Sequence, residues 1–216
     1  MNKKNAPLRL ILKRPASRPS RRLAAIAGLS TLCLDAGAGP PRPPLPTPCL
    51  AGNCGNSAQS FVQSGTASAV VTGKTMNITQ STNKVILNWA NFNIANGYKV
   101  DFVQPSATSA ALNQIWSADP SIISGKLQAN GQVYLYNQNG IVFSKGAQVD
   151  VGGLVASSLP LRNTDLFEDG ILSQNGNGDA APPPVFQNSP GATSGAVDVN
   201  EGATLTAAAS CCSDRR

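Results

Sequence analysis

VYLYNQNGIVFSKGAQVDVGGLVASSL, from Val133 to Leu159, decides the fold. Two alternating apolar runs flank Asn137-Gln138-Asn139-Gly140, and a run of small residues follows Lys145-Gly146. The order is strand, turn, strand, turn, strand. The segment carries one lysine, one aspartate and no histidine, so it builds a surface and supplies little for acid–base chemistry.

The same rhythm extends outward on both sides. Val85 to Trp89, Tyr98 to Val103, Ile122-Ile123, Lys126 to Gln128 and Gln132 to Tyr136 are strand candidates. Asn96-Gly97, Gly125 and Asn130-Gly131 separate them as turns. Downstream, Gln148 to Val151 and Leu154 to Ser157 are split at Gly152-Gly153, and Gly195 to Ala207 is split at Gly202. Tyr98, Val100 and Phe102 fall on one face, with Lys99 and Asp101 on the other. Runs this short suit a solenoid with three faces per coil, at roughly 20 residues or more per coil. A β-sandwich would favour longer runs and fewer turns. Ala107 to Trp116 (ATSAALNQIW) predicts a helical turn with Leu112, Ile115 and Trp116 on one face, or else a loop or 3₁₀ turn. Pro160 to Gly191 predicts an excursion outside the solenoid body. It holds the acidic Thr164–Asp169, the loop Asn175–Asp179 and an extended Pro182–Pro184.

Only 13% of the residues are charged and 5% aromatic, with 20 Gly and 16 Pro, a balance that fits a β-rich extracellular chain. The net charge of +6 belongs to the start of the chain, where eight of the 17 basic residues precede Leu23. From Gly39 onward nine basic residues face ten acidic ones. A nucleic-acid partner would need its basic residues on the folded part, so none is expected. Five cysteines occur, at 33, 49, 54, 211 and 212. Cys49 and Cys54 either close a small loop in an oxidising compartment or stay unpaired. The adjacent Cys211 and Cys212 would bridge each other only with strain.

The basic run ends at Arg21-Arg22, and twelve mostly apolar residues follow, from Leu23 to Leu34. Ala36-Gly37-Ala38 then supplies an A-x-A pattern. That order predicts a signal peptide over residues 1–38, with cleavage in the Ala36–Ala38 region. The apolar run is shorter than the ~20 residues a spanning helix needs. Residues 39–66 are expected to be a proline-rich linker, with no core through about Ser60. The solenoid is expected over 67–209 and an irregular tail over 210–216.

Val85 to Ser106 (VILNWANFNIANGYKVDFVQPS), Ala111 to Leu159, and the late Val197 to Ala207 (VDVNEGATLTA) together resemble a known family. It is the N-terminal two-partner secretion (TPS) domain of filamentous haemagglutinin-type exoproteins, also called the haemagglutination activity domain. The resemblance runs from about Ala67 to Ala209. It implies an all-β fold, a right-handed parallel β-helix with an N-terminal β-cap and extra-helical strands. The family's Asn-Pro-Asn-Gly-Ile turn falls at Asn137, Gln138, Asn139, Gly140 and Ile141, with Gln138 in place of proline. Gln adopts the same φ at some entropic cost, so the turn is expected to survive.

The resemblance also implies a function: the secretion domain of an exported adhesin or haemagglutinin-like virulence protein of a Gram-negative bacterium. The periplasmic domains of an outer-membrane β-barrel transporter would be its partner. The product would be secreted or held at the cell surface. Contacts to host or neighbouring cells would come through downstream repeats. Family members run far beyond this length, so a truncated, frameshifted or small stand-alone chain is implied. The alternatives are the carrier part of a contact-dependent toxin, or a β-helical enzyme acting on polysaccharide. The latter wants clustered carboxylates, whereas Asp101, Asp119, Asp150 and Asp198 are scattered, and the clustered Asp165, Glu168 and Asp169 read as a solvated loop. Without histidine no Ser-His-Asp or Cys-His machinery can be built. The chain is therefore expected to be no enzyme, with no catalytic residue, cofactor or metal.

Overall fold

A computed structural model describes residues 42–54, 60–161, 185–188 and 190–213. The signal-peptide region with Ala36 and Ala38, Cys33, the acidic stretch 164–169, the loop 175–179 and Pro182–Pro184 lie outside the described residues.

The strands are β1 (Thr47–Pro48), β2 (Val62–Ser64), β3 (Ala67–Thr72), β4 (Thr75–Gln80), β5 (Lys84–Asn91), β6 (Lys99–Val103), β7 (Ala110–Ile115), β8 (Ser121–Ile123), β9 (Lys126–Asn137), β10 (Ile141–Phe143), β11 (Gln148–Ser157), β12 (Val197–Val199) and β13 (Thr204–Ser213). From β4 on, successive coils pair in parallel. On the first face β4 pairs with β6, β6 with the start of β9, then β11 and β13 follow. On the second, β5 pairs with β7, and β7 with the end of β9, which continues to the ends of β11 and β13. On the third, β8, β10 and β12 stack, with Ile94 bridged to Ile123 before them. Lys126 pairs with Gln148, so one coil takes 148 − 126 = 22 residues. This is the three-faced parallel β-solenoid read from the spacing of the runs.

Each face turns alternate side chains inward, and these stack rung on rung. Met76, Val100, Leu127 and Val149 line up on the first face, and Val85, Ala111, Val133 and Leu154 on the second. Ile94, Ile123, Ile141, Phe143 and Val197 close the core from the third. Each fully buried side chain of this kind contributes roughly 1.5–3 kcal/mol. Trp89, fully buried, meets Phe61 and Phe92 edge-on, at centroid distances of 4.9 and 5.3 Å.

Four expectations need correction. Ala107–Trp116 does not form a helical turn: its centre is β7, held between β5 and β9. Ala111 and Ile115 point into the main core, while Ala110 and Leu112 join a second apolar cluster outside it with Ile86, Tyr134 and Val155. A strand apolar on both sides loses its period of two and mimics a helix.

Asn130-Gly131 and Gly152-Gly153 are not turns between strands. β9 and β11 run through them and bend from the first face to the second, with a register shift at Val151/Gly153. Glycine is needed there for closeness: a Cβ on Gly131 would lie 2.6 Å from the Ser109 carbonyl oxygen. The corner is sealed by a buried amide stack, in which Gln104 Nε2 donates to Gln80 Oε1 at 3.0 Å and Gln104 Oε1 accepts from the Gly131 N–H at 3.0 Å.

The proline-rich segment is not without a core. Leu45 packs into the main cluster, and β1 pairs antiparallel with β5. Proline is tolerated because β1 lies at a sheet edge. Cys49 and Cys54 form a disulfide, with Cα atoms 5.5 Å apart. β2 also pairs antiparallel with β5, and β3 with β4, so antiparallel strands cap the first coil as the N-terminal β-cap.

The tail is not irregular throughout either. β13 continues to Ser213, because its backbone pairs with β11 from Gly153 to Ser157.

The excursion leaves the solenoid after Ser157. Its described ends, Leu161 and Phe186, bridge antiparallel and pack on the outer apolar cluster of the second face.

Candidate functional site

Asn137 to Ile141 forms the corner between the second and third faces, joining β9 to β10. The Gly140 N–H donates to the Asn137 carbonyl at 2.9 Å, which closes a four-residue turn. Neither Gln138 nor Asn139 has a positive φ, as a type I turn requires, while Gly140 takes φ 105°. Gln138 therefore stands at the position where proline would pre-set φ, and the turn forms without it.

The side chain of Asn137 is fully buried and bonded in three directions. Its Nδ2 donates to the Asp119 carbonyl at 3.1 Å and to Ser121 Oγ at 3.0 Å, both on the coil below. Its Oδ1 accepts from the Asn139 N–H at 2.9 Å, shaping the turn from inside. Asn139 Nδ2 donates downward to the Ser117 carbonyl at 2.8 Å. The coil above is tied by the Gly195 N–H to the Gln138 carbonyl at 2.7 Å and by the Ile141 N–H to the Ala196 carbonyl at 3.0 Å. Gln138 Nε2 adds a bond to the Thr193 carbonyl at 3.2 Å. The turn thus clamps three coils. Asn137 and Gly140 are buried, whereas Gln138 and Asn139 face outward.

Beside the turn lies a cleft of about 350 Å³, lined by Gln114, Trp116, Tyr136, Gln138, Asn139 and Pro160 among others. Trp116 is 43% exposed, and its Nε1 donates to Asn88 Oδ1 at 3.0 Å. Burial raises the Tyr136 phenol above its ordinary pKa of 10.0. Sequence reasoning missed Trp116 here because it placed that residue on a helical face. The signal was the coil spacing, since Ile115 pairs with Asn137 one coil later, which brings Trp116 beside Gln138. The upper partners, Gly195 and Ala196, are separated from the turn by the excursion and carry no local signal.

The dispersed carboxylates stay dispersed. Asp101 lies on β6 beside Lys99, at 2.7 Å, Asp150 on β11, Asp198 on β12, and Asp119 in the loop after β7. Among the described residues no three His, Cys, Asp or Glu side chains gather as a metal site. The cavity of about 300 Å³ on the first face sets the single carboxylate of Asp150 beside Lys126, with Gln and Thr around them. A lone carboxylate in a polar row is not a general acid–base pair.

A family model described as the TPS secretion domain matches residues 56–203. The heme/hemopexin-binding protein of Haemophilus influenzae strain Rd is 38% identical over 120 residues, which is 56% of this chain and 12% of that protein. A second heme/hemopexin-binding protein from Haemophilus influenzae is 36% identical over 106 residues, covering 49% and 11%. The chain thus matches only a small part of the length of these curated relatives. The crystal structure of the HMW1 secretion domain from Haemophilus influenzae aligns with a TM-score of 0.46 at 38% identity, over 48% of this chain and 28% of that one.

Proposed function

Because the chain belongs to the TPS secretion domain family, we propose that it directs export of its own polypeptide through a dedicated outer-membrane β-barrel transporter. The observation that carries this reading is the family match over residues 56–203, which spans β2 to β12 of the capped solenoid. In this reading residues 1–38 are a signal peptide, cleaved in the Ala36–Ala38 region. The chain reaches the periplasm unfolded, and the transporter's periplasmic domains recognise it there. It then threads through the barrel and folds outside. Folding buries the stacked core, and this helps draw the chain out. The Asn137–Ile141 turn is first a structural corner, and a direct role of Asn137, Asn139 and Gly140 in transporter recognition is the sharper alternative.

The exported product is an adhesin or haemagglutinin-like protein, secreted or held at the surface of a Gram-negative cell. The role of a toxin carrier is the alternative. The match to the heme/hemopexin-binding proteins covers 12% or less of their length, so it supports a shared export route and not a shared ligand. A polysaccharide-acting enzyme is disfavoured by the dispersal of the carboxylates among the described residues.

The test is secretion in a bacterium carrying the chain with or without a TPS barrel. Release into the medium should require the barrel. Equal release without it would overturn the proposal.

A further inference from the structure

The first strand of the second face, β5, needs a partner on its outer edge, and it receives two very short ones. β1 has two residues and β2 three. Asn88 of β5 holds the segments beside both, its Nδ2 donating to the Ser60 carbonyl at 3.0 Å. The Cys49 N–H donates to the Asn88 carbonyl at 3.0 Å, and the Asn88 N–H donates to the Phe61 carbonyl at 2.7 Å. The segment leading into β1 is poor in donors, because Pro43, Pro44, Pro46 and Pro48 have no N–H. It serves the solenoid through acceptors, as where the Pro44 carbonyl takes the Ala95 N–H at 2.9 Å. Backbone pairing alone holds this part of the cap weakly.

The described segment after β1, residues 49–54, carries what the backbone lacks. Asn53 folds it back on itself: Asn53 Oδ1 accepts from the Leu50 N–H at 2.6 Å, and Asn53 Nδ2 donates to the Pro48 carbonyl at 3.1 Å. Cys49 and Cys54 are both fully buried and joined, while Leu50 between them stands 65% exposed. Phe61, just beyond, packs edge-on against Trp89. The disulfide therefore lies in sequence between the two cap strands and directly follows Pro48, which pairs with Trp89 of β5.

We propose that the Cys49–Cys54 pair is a redox latch: the N-terminal cap closes over β5 when the two thiols are oxidised and loosens when they are reduced. Closing is thiol–disulfide exchange with a disulfide-bearing oxidant. The two cysteine thiols give up two protons and two electrons, a new S–S bond forms, and the oxidant's S–S bond breaks to leave two thiols. Such pairs stay reduced in the cytosol and oxidise outside it. The cap then latches only after the chain has left the compartment where it is made. The link to export rests on the secretion-domain reading, whereas the latch itself rests on the cap alone.

The experiment compares the full chain, oxidised, with the same chain in dithiothreitol. Oxidised protein should resist alkylation at Cys49 and Cys54. On reduction, proteolysis between Arg42 and Ser64 should accelerate about tenfold or more, as local opening becomes cheaper. Amide exchange should rise at Asn88 and Trp89 while the β9–β11 ladder keeps its protection. The double variant Cys49→Ser/Cys54→Ser should match the reduced protein and ignore reductant, which sets aside Cys33, Cys211 and Cys212. Should that variant fail to fold, reduction of the folded native chain gives the same readout. Unchanged cleavage and exchange after reduction, uniform loss of protection across the solenoid, or free thiols at both positions in the oxidised protein would each overturn the latch. A solenoid that latches but is released without any TPS barrel would overturn only the export reading.

Discussion

Asn137 Nδ2 donates to Ser121 Oγ at 3.0 Å, joining the corner of one coil to the strand of the coil before it. The same nitrogen reaches the Asp119 carbonyl, and the Oδ1 of Asn137 holds the Asn139 N–H of its own turn. One buried amide therefore fixes both the shape of the turn and its height in the stack. Asparagine suits the position because it offers donor and acceptor without a charge.

Replacing Asn137 with Ala should destabilise the solenoid by ~2–4 kcal/mol, since a buried amide with three bonds is lost and the Ser121 hydroxyl and Asn139 N–H are left short of a partner. Asn137→Asp should do no better, because a carboxylate oxygen would face the Asp119 carbonyl. Urea unfolding followed by far-UV dichroism measures both. A cost below ~0.5 kcal/mol for the alanine variant would show that the corner is not a clamp.

Gly140→Ala should be worse than an ordinary glycine replacement. The residue holds φ 105°, and an added Cβ would stand 2.5 Å from the Ala196 carbonyl oxygen. That oxygen also accepts the Ile141 N–H, so it cannot retreat without loosening the third face. Strain of the order of 1–3 kcal/mol from the backbone alone is expected, and more from the clash. Protection of the β10 and β12 amides should fall first, which hydrogen exchange would detect.

Gln138→Pro makes the opposite expectation. The residue occupies the turn position at which proline is favoured. Fewer unfolded conformations should stabilise the fold by about 0.4–1 kcal/mol, less a small loss from the exposed bond to Thr193. Thermal melting resolves this. A marked destabilisation would mean that the Gln138 side chain anchors the 193–196 segment.

The corner itself was legible in the sequence because Asn137-Gln138-Asn139-Gly140 interrupts two alternating runs, and alternation with one buried face survives as a period of two. β7 was not legible, because Ala110 and Leu112 are covered by an outer cluster that the local sequence does not announce. The bends at Asn130-Gly131 and Gly152 looked like turns because glycine marks both, yet there it serves close approach between coils and not positive φ. The cap strand at Thr47–Pro48 was hidden by its prolines, which exclude a central strand but not an edge. The end of β13 was hidden because its pairing is set by the β11 backbone beneath it.

Trp89 and Asn113 should be energetically coupled. Trp89 Nε1 donates to Asn113 Oδ1 at 2.9 Å inside the core, and Asn113 Nδ2 donates to the Ala111 and Tyr134 carbonyls at 3.2 and 3.1 Å. Asn113→Leu alone leaves the indole N–H without an acceptor and should cost ~1–3 kcal/mol. Trp89→Phe in that background removes the stranded donor, so the double variant should lose less than the two single losses combined. Strict additivity in a double-mutant cycle would contradict the coupling.

Tyr136 supplies a pH dependence at the alkaline end. Burial raises its phenol above 10.0 in the folded chain, because the phenolate is poorly solvated beside the cleft. The unfolded chain ionises near the ordinary value, about 10. Above that pH the unfolded state has released a proton that the folded state still holds, so stability falls as pH rises. Below it both states are neutral and the contribution is fully present. Tyr136→Phe cannot ionise and should flatten this part of the decline. Urea midpoints of both proteins at intervals from about pH 9 to pH 11 would test it. Parallel declines for the two would assign the loss to other groups.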